Sequence, residues 1–310
     1  MTLLISLPES MAPRALSSAL LSLEPGLKIV TGHDNVQNTN EVEFAVVWNN
    51  YPEGLLLNYP NLKAISSYGH GVDGLLTDRK LPEGVPLVRL KDDTMAGCMS
   101  EYLLAVVLLH RRQLLRHAEN SDFIEWGIAS RYHGNQLSIL GLGYLGQAAA
   151  KVFLKMRFDV SGWSRTLKKI EGVRSFSGND GLNEMLKNTN YLVNLLPLTL
   201  ETTDLLNTET LSKLKRGAYL INVGRGETLV EENLIPLLDE GQLSGACLDV
   251  FRTEPLPEKH PFRKHKKILI TPHNSSSTPA DSVAPQILEN YKRAVSGRQL
   301  LNLVDLERGY

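Results

Sequence analysis

Cysteine is nearly missing: the 310 residues hold two, Cys98 and Cys247, far apart in sequence and each among apolar neighbours. Neither a disulfide framework nor a metal site is expected from them, and they read as small buried hydrophobes of a reducing compartment. Long apolar runs are missing too. The longest, Tyr102 to Leu109, falls well short of the roughly 20 residues that span a bilayer. Near the start, Leu3 to Leu7 is apolar for five residues with no Lys or Arg before it, the pattern of a first strand and not of a signal peptide. Positive charge gathers nowhere. The formal net charge is −1, so neither a nucleic-acid nor a membrane partner is expected. With 42% hydrophobic and 22% charged residues, what remains is a cytoplasmic globular protein, long enough for two domains.

What the chain does have is a dense glycine turn. Leu137-Ser138-Ile139-Leu140 stops at Gly141-Leu142-Gly143-Tyr144-Leu145-Gly146, and the helix formers Ala148, Ala149, Ala150, Lys151 and Leu154 follow. Strand, tight turn and helix are the reading. Gly141, Gly143 and Gly146 stand at the spacing that allows a sharp turn, a close approach of a diphosphate, and tight helix–strand packing. The diphosphate would sit on the N–H groups at the positive end of the helix.

Before this turn, short apolar strands at Leu3–Leu7, Leu27–Val30, Phe44–Trp48, Leu62–Ser66 and Pro86–Leu90 alternate with helical stretches such as Met11–Leu23. That alternation predicts a parallel, doubly wound sheet. After the fourth strand, Ser67 to Gly74 contains three glycines, either an anion-binding nest or an ordinary connection. Met99–Arg112 is expected to pass between domains, and the polar residues 117–135 to wrap over a neighbour such as a second subunit. A second sheet runs from Leu137 through strands at Asp159–Trp163, Tyr191–Leu196, Ala218–Val223, Gly245–Val250 and Lys267–Thr271, with helices at Asn183–Lys187, Glu209–Lys215 and Glu231–Glu240. The last helix, Asp281–Ser296, is expected to return to the first domain. The expected division is 1–98 with 284–310, against 99–283.

The second strand of the second sheet ends Trp163-Ser164-Arg165, with no carboxylate at its tip. A carboxylate there would accept from the ribose 2′-hydroxyl of NAD. A hydroxyl and a guanidinium instead suit a 2′-phosphate, and NADP(H) is the expected cofactor.

Three ionisable residues follow later strands: Arg225 in Asn222-Val223-Gly224-Arg225-Gly226, Glu254 in Phe251-Arg252-Thr253-Glu254-Pro255, and His273 in Thr271-Pro272-His273-Asn274. In a parallel sheet all carboxyl ends share one edge, where ligands bind. An imidazolium donates a proton to the oxygen of a carbonyl receiving hydride, a guanidinium holds a substrate carboxylate, and a neighbouring glutamate raises the histidine pKa. The set suits reduction of a 2-oxo acid.

Together, Leu140–Gly146, Asn194-Leu195-Leu196-Pro197, Asn222–Gly226, Leu248-Asp249-Val250-Phe251 and Thr271-Pro272-His273 resemble, in order and spacing, the D-isomer-specific 2-hydroxyacid dehydrogenase family. Val46-Val47-Trp48, Met99-Ser100-Glu101-Tyr102, Gly162–Arg165, Glu254–Pro257 and Arg308-Gly309-Tyr310 are similar to its bacterial glyoxylate/hydroxypyruvate reductase A branch. The resemblance implies a Rossmann dinucleotide-binding domain plus a flavodoxin-like substrate domain, a homodimer, and NADPH-dependent reduction of glyoxylate and hydroxypyruvate. It implies Arg225 as carboxylate anchor, Glu254 as partner of His273, His273 as acid/base, and Gly69, His70, Gly71 and Val72 at the substrate. It places Tyr144, Leu145, Leu196, Pro197 and Thr202 at the cofactor, along with Val223, Gly224, Arg225, Asp249, His273 and Ser275. Asn274-Ser275-Ser276-Ser277 and Leu198 depart from the family pattern. Trp48 is expected either to close the far side of a small substrate pocket or to cap the first sheet. The alternatives are a dehydrogenase of a bulkier 2-oxo acid and a non-catalytic, co-repressor-like dinucleotide sensor.

Overall fold

The computed structural model describes residues 2–49, 51–76, 80–115 and 134–310. The stretch expected to wrap over a neighbour lies, up to residue 133, outside the described residues. The chain divides into two compact units, 1–95 with 278–310, and 96–277. The divides thus fall a few residues before the expected 98/99 and 283/284.

In the first unit the strands are β1 (Thr2–Ser6), β2 (Ile29–Thr31), β3 (Val42–Val47), β4 (Ala64–Ser67) and β5 (Leu87–Val88). All pair in parallel, in the order β2-β1-β3-β4-β5. That order is flavodoxin-like, and its reversal point lies between β1 and β3. Its middle strands β1, β3 and β4 are buried along almost their whole length, as strands inside a parallel sheet are. The helix α1 (Pro13–Leu23) buries Leu16 and Leu20. The short α2 (Asp73–Leu76) follows β4, and α3 (Asp93–Arg111) begins this unit's exit. That helix starts six residues before the expected Met99. Asp92 Oδ2 accepts the Met95 N–H at 3.0 Å, a polar cap in a stretch where apolar periodicity has not yet begun.

The second unit holds β6 (Gln136–Leu140), α4 (Tyr144–Lys155), β7 (Asp159–Trp163), β8 (Arg174–Phe176), α5 (Gly178–Leu186) and β9 (Tyr191–Asn194). There follow α6 (Thr208–Ser212), β10 (Ala218–Asn222), α7 (Glu231–Asp239), β11 (Leu243–Leu248) and β12 (Ile268–Ile270). The sheet order is β12-β11-β10-β9-β6-β7-β8, again wholly parallel. Counted from β6 this is a Rossmann order with an added seventh strand. The edge strand β8 is absent from the sequence reading. Arg174-Ser175-Phe176 is three residues long with one apolar side chain, because an edge strand needs little burial. It is registered by Phe176 beside Trp163, whose indole Nε1 donates to Gly178 O at 2.9 Å. The helix α5 likewise starts earlier than the expected 183, and its buried face is Leu182, Met185 and Leu186.

The last helix, α8 (Ala280–Val295), packs along α1 and over β3 in the first unit. Val283, Ile287, Leu288 and Tyr291 are its buried face, and Tyr291 meets Phe44 edge-on at 6.0 Å between ring centres. Each such fully buried apolar side chain contributes about 1.5–3 kcal/mol.

Candidate active site

In the second unit the strand order reverses between β6 and β9, which are paired at Leu140 and Asn194. A crevice at such a switch point is where ligands bind in open α/β sheets. The glycine turn opens from it. Gly141 has φ +100, and a Cβ there would stand 2.8 Å from Leu195 O. At Gly146 a Cβ would meet Gly141 O at 1.9 Å. Gly143 is exposed, and a Cβ on it would meet nothing within 4 Å. Turn, close packing and open approach are thus divided among the three. Gly143 is the cap of α4 and, as a glycine, brings no side chain over the start of that helix at Tyr144 and Leu145. This cradle fits a diphosphate.

Gly141 N–H donates to Trp163 O at 2.8 Å, so the end of β7 lies directly beside the glycine turn. Ser164 and Arg165 follow at once. The Ser164 hydroxyl donates to Thr166 O at 2.9 Å, and Arg165 is exposed.

The loop after β9 is closed by Thr202, whose Oγ1 donates to Pro197 O at 2.7 Å and accepts from Thr199 N–H at 2.8 Å. It touches the next loop at Gly224, where a Cβ would stand 2.8 Å from Leu196 O. Gly226 serves the other side: a Cβ there would lie 1.9 Å from the Phe251 carbonyl carbon. Each glycine flanking Arg225 therefore lets its loop lie on the backbone of one neighbouring strand-end. Gly226→Ala is expected to push the Arg225 and Glu254 loops apart and to destabilise the protein by about 1–3 kcal/mol, read from the midpoint of urea unfolding.

The carbonyl of Arg225 is fixed from below by buried side chains that sequence reasoning passed over. Thr228 Oγ1 and Asn222 Nδ2 both donate to it, at 2.6 and 3.1 Å. Asn194 Nδ2 donates to Asn222 Oδ1 and to Thr228 Oγ1 at 2.9 and 2.8 Å. All three side chains belong to fully buried residues. Two asparagines at the ends of adjacent strands were the available signal, because an amide buried in a sheet must find partners.

His273 and Glu254 meet directly. Nδ1 of the imidazole lies 2.7 Å from Glu254 Oε2, and the other carboxylate oxygen accepts the Phe251 N–H at 2.9 Å. A carboxylate only accepts, so Nδ1 carries a proton and Nε2 is left for proton exchange. The bond to Glu254 is the main cause that raises the His273 pKa, against burial and the Arg225 charge, which lower it. For Glu254, burial raises the pKa, but the bonds from His273 and Phe251 and the charges of His273 and Arg225 outweigh it and hold it below the ordinary carboxylate range. The imidazole is 45% and the carboxylate 35% exposed. The pair is thus a supported acid open to solvent, with a guanidinium in its field.

Asp249, expected beside the cofactor, is wholly buried. Its oxygens accept from Thr271 Oγ1 at 2.6 Å and from the N–H groups of Asn274 and Ser275, each at 2.9 Å. Ser275 is buried, as are Leu196 and Val223.

In the first unit, Gly69, His70, Gly71 and Val72 follow β4 at its carboxyl edge. Ser67 Oγ donates to Gly71 O at 3.0 Å, and Leu90 N–H to Gly69 O at 3.0 Å. His70 Nδ1 lies 3.1 Å from Leu90 O, which fixes the proton on Nδ1. A Cβ on Gly69 would stand 2.1 Å from Cζ3 of the Trp48 indole, so the edge of that ring abuts the loop and only glycine leaves room for it. Among the described residues no three His, Cys, Asp or Glu side chains are grouped to hold a metal ion. No helix among them is long and apolar enough to cross a membrane.

Residues 104–275 match the family model described as D-isomer specific 2-hydroxyacid dehydrogenase, NAD binding domain. A glyoxylate/hydroxypyruvate reductase A of Serratia proteamaculans is 39% identical over 275 residues, 86% of this chain and 88% of that protein. One from Yersinia enterocolitica is 37% identical over 280 residues, 88% and 89% of the two. A D-isomer specific 2-hydroxyacid dehydrogenase from Xanthobacter autotrophicus, solved with NADPH and MES, has a TM-score of 0.94 at 38% identity, covering 100% of this chain and 99% of that one. An NADPH-dependent glyoxylate/hydroxypyruvate reductase from Sinorhizobium meliloti, solved with NADP and sulfate, has a TM-score of 0.91 at 33% identity, with the same coverage. A glycine turn at a switch point and a histidine–glutamate pair beside an arginine are thus found in a chain that belongs to the D-isomer specific 2-hydroxyacid dehydrogenase family.

Proposed function

We propose that this protein reduces small 2-oxo acids with NADPH, glyoxylate to glycolate and hydroxypyruvate to D-glycerate. The observation that carries the reading is the 2.7 Å His273–Glu254 pair within the field of Arg225, on the strand-end edge that also bears the Gly141–Gly146 turn. The relatives' names and their bound NADPH and NADP support it. A nicotinamide dinucleotide held at that turn supplies the hydride. Ser164 and Arg165 hold its 2′-phosphate, and Arg225 binds the substrate carboxylate. His273 Nε2 donates a proton to the carbonyl oxygen as charge develops there. Glu254 keeps the imidazole charged and its Nδ1–H directed inward. The loop Gly69–Val72 offers backbone donors to the substrate, and Trp48 limits its third carbon to hydrogen or hydroxymethyl size. The same reading carries a homodimer in the cytoplasm.

Initial rates with NADPH on glyoxylate, hydroxypyruvate, pyruvate and phenylpyruvate test this directly. Glyoxylate and hydroxypyruvate should show the highest kcat/KM. Trp48→Ala should raise phenylpyruvate relative to hydroxypyruvate, whereas equal losses on both would assign Trp48 to folding. Highest activity on phenylpyruvate in the unaltered protein would replace this reading with that of a dehydrogenase for bulkier acids. No turnover on any of the four would leave a dinucleotide sensor.

A further inference from the structure

Tyr102, on the part of α3 that belongs to the second unit, takes no part in the chemistry above. It lies 2.6 Å from Thr271 Oγ1 and 3.2 Å from Cys247 Sγ. The direction of each bond follows from counting protons. The one hydroxyl proton of Thr271 goes to Asp249 Oδ1 at 2.6 Å. Its oxygen must then accept from Tyr102, and the tyrosine oxygen in turn accepts from the Cys247 thiol. Burial pushes that thiol up to about 12 and raises the Tyr102 hydroxyl as well, so both keep their protons. Thiol, phenol, hydroxyl and carboxylate form a chain of bonds running one way.

At its end Asp249 grips three successive amides. Its backbone oxygen accepts the His273 N–H at 2.9 Å, and its carboxylate accepts those of Asn274 and Ser275. His273 needs such a grip. Its φ of +53 lies in the left-handed region, which disfavours a non-glycine residue and persists only where the surroundings impose it.

We propose that Tyr102 is a positioning residue for His273, acting through Thr271 and Asp249 to hold the turn that aims the imidazole at Glu254. The inference rests on the reading of His273 as the proton donor. Its structural half, the alignment of His273 with Glu254, is measurable without turnover. The charged groups acting on the imidazole are Glu254, Arg225 and Asp249, and none of them is altered by removing the Tyr102 hydroxyl.

The test compares Tyr102→Phe, Thr271→Val and the double variant in the full-length protein. Two readouts are used: steady-state reduction of hydroxypyruvate by NADPH, and NMR titration of labelled histidine, with His273 identified by its loss in His273→Gln. Tyr102→Phe keeps the ring and removes the hydroxyl, and with it the bonds to Thr271 and Cys247. It should lower kcat about two- to tenfold, the range of one neutral hydrogen bond, with KM for NADPH unchanged and the His273 pKa moved down toward its ordinary value. Thr271→Val should do the same. The double variant should be no worse than the poorer single, since both break one chain. An unchanged His273 pKa in Tyr102→Phe, or losses that multiply in the double variant, would overturn the proposal. A lowered His273 pKa with unaltered kcat would instead uphold the positioning and remove His273 from the rate-determining chemistry.

Discussion

Replacing His273 by alanine is expected to lower kcat for hydroxypyruvate by roughly 10²–10⁴, the contribution of a positioned general acid. NADPH affinity, followed by quenching of protein fluorescence, should hardly change, because the proposed cofactor cradle is the Gly141–Gly146 turn with the end of β7. Glu254→Gln separates the two halves of the pair. The glutamate bond is the leading cause raising the His273 pKa, and reduction needs the protonated imidazole. Activity is therefore full below that pKa and declines as pH rises through it. Without the carboxylate charge the alkaline limb of kcat/KM should move to lower pH, while the plateau at acid pH falls less than in His273→Ala. In the oxidative direction the neutral imidazole is required, so the same variant should extend activity toward lower pH. A His273→Ala protein with near-native turnover would falsify the assignment, and His70 would be the next residue to replace.

Ser164→Asp with Arg165→Ala is expected to reverse the cofactor preference. Each charge-assisted hydrogen bond to a 2′-phosphate contributes about 1.5–3 kcal/mol, which is roughly tenfold to a hundredfold in affinity. The aspartate adds repulsion against the phosphate and an acceptor for a free ribose hydroxyl. The ratio of kcat/KM for NADPH over NADH should thus fall by about 10²–10⁴, with kcat for the better cofactor close to that of the unaltered protein. Neither residue touches the His273–Glu254 pair, so the pH limb should stay in place. An unaltered protein that uses NADH as well as NADPH would remove the 2′-phosphate contact from Ser164 and Arg165.

Much of this protein was legible along the chain, wherever the physics is local. The turn at Gly141–Gly146 needs particular backbone angles and contacts within a few residues, so its glycines announce it. Apolar runs such as Phe44–Val47 and Tyr191–Val193 mark central strands, because a parallel sheet is buried on both faces. Arg225, Glu254 and His273 each follow such a run, and parallel strands end on one edge, so their common placement followed from counting strands. Where burial is slight or partners are distant, the sequence was silent. The strand β8 carries a single apolar residue and exists because Trp163 and Phe176 register it against β7. Gly224 and Gly226 resemble any loop glycines until the neighbouring strand-ends are laid against them. Asn194, Asn222 and Thr228 converge on the Arg225 carbonyl from positions up to 34 residues apart, and Tyr102 reaches Thr271 across 169. Asp249 stands in a recognisable motif, yet its burial beneath three successive amides of the His273 turn depends on how β11 and β12 sit side by side. A buried polar group is defined by its partners, and the tertiary structure alone determines which partners those are.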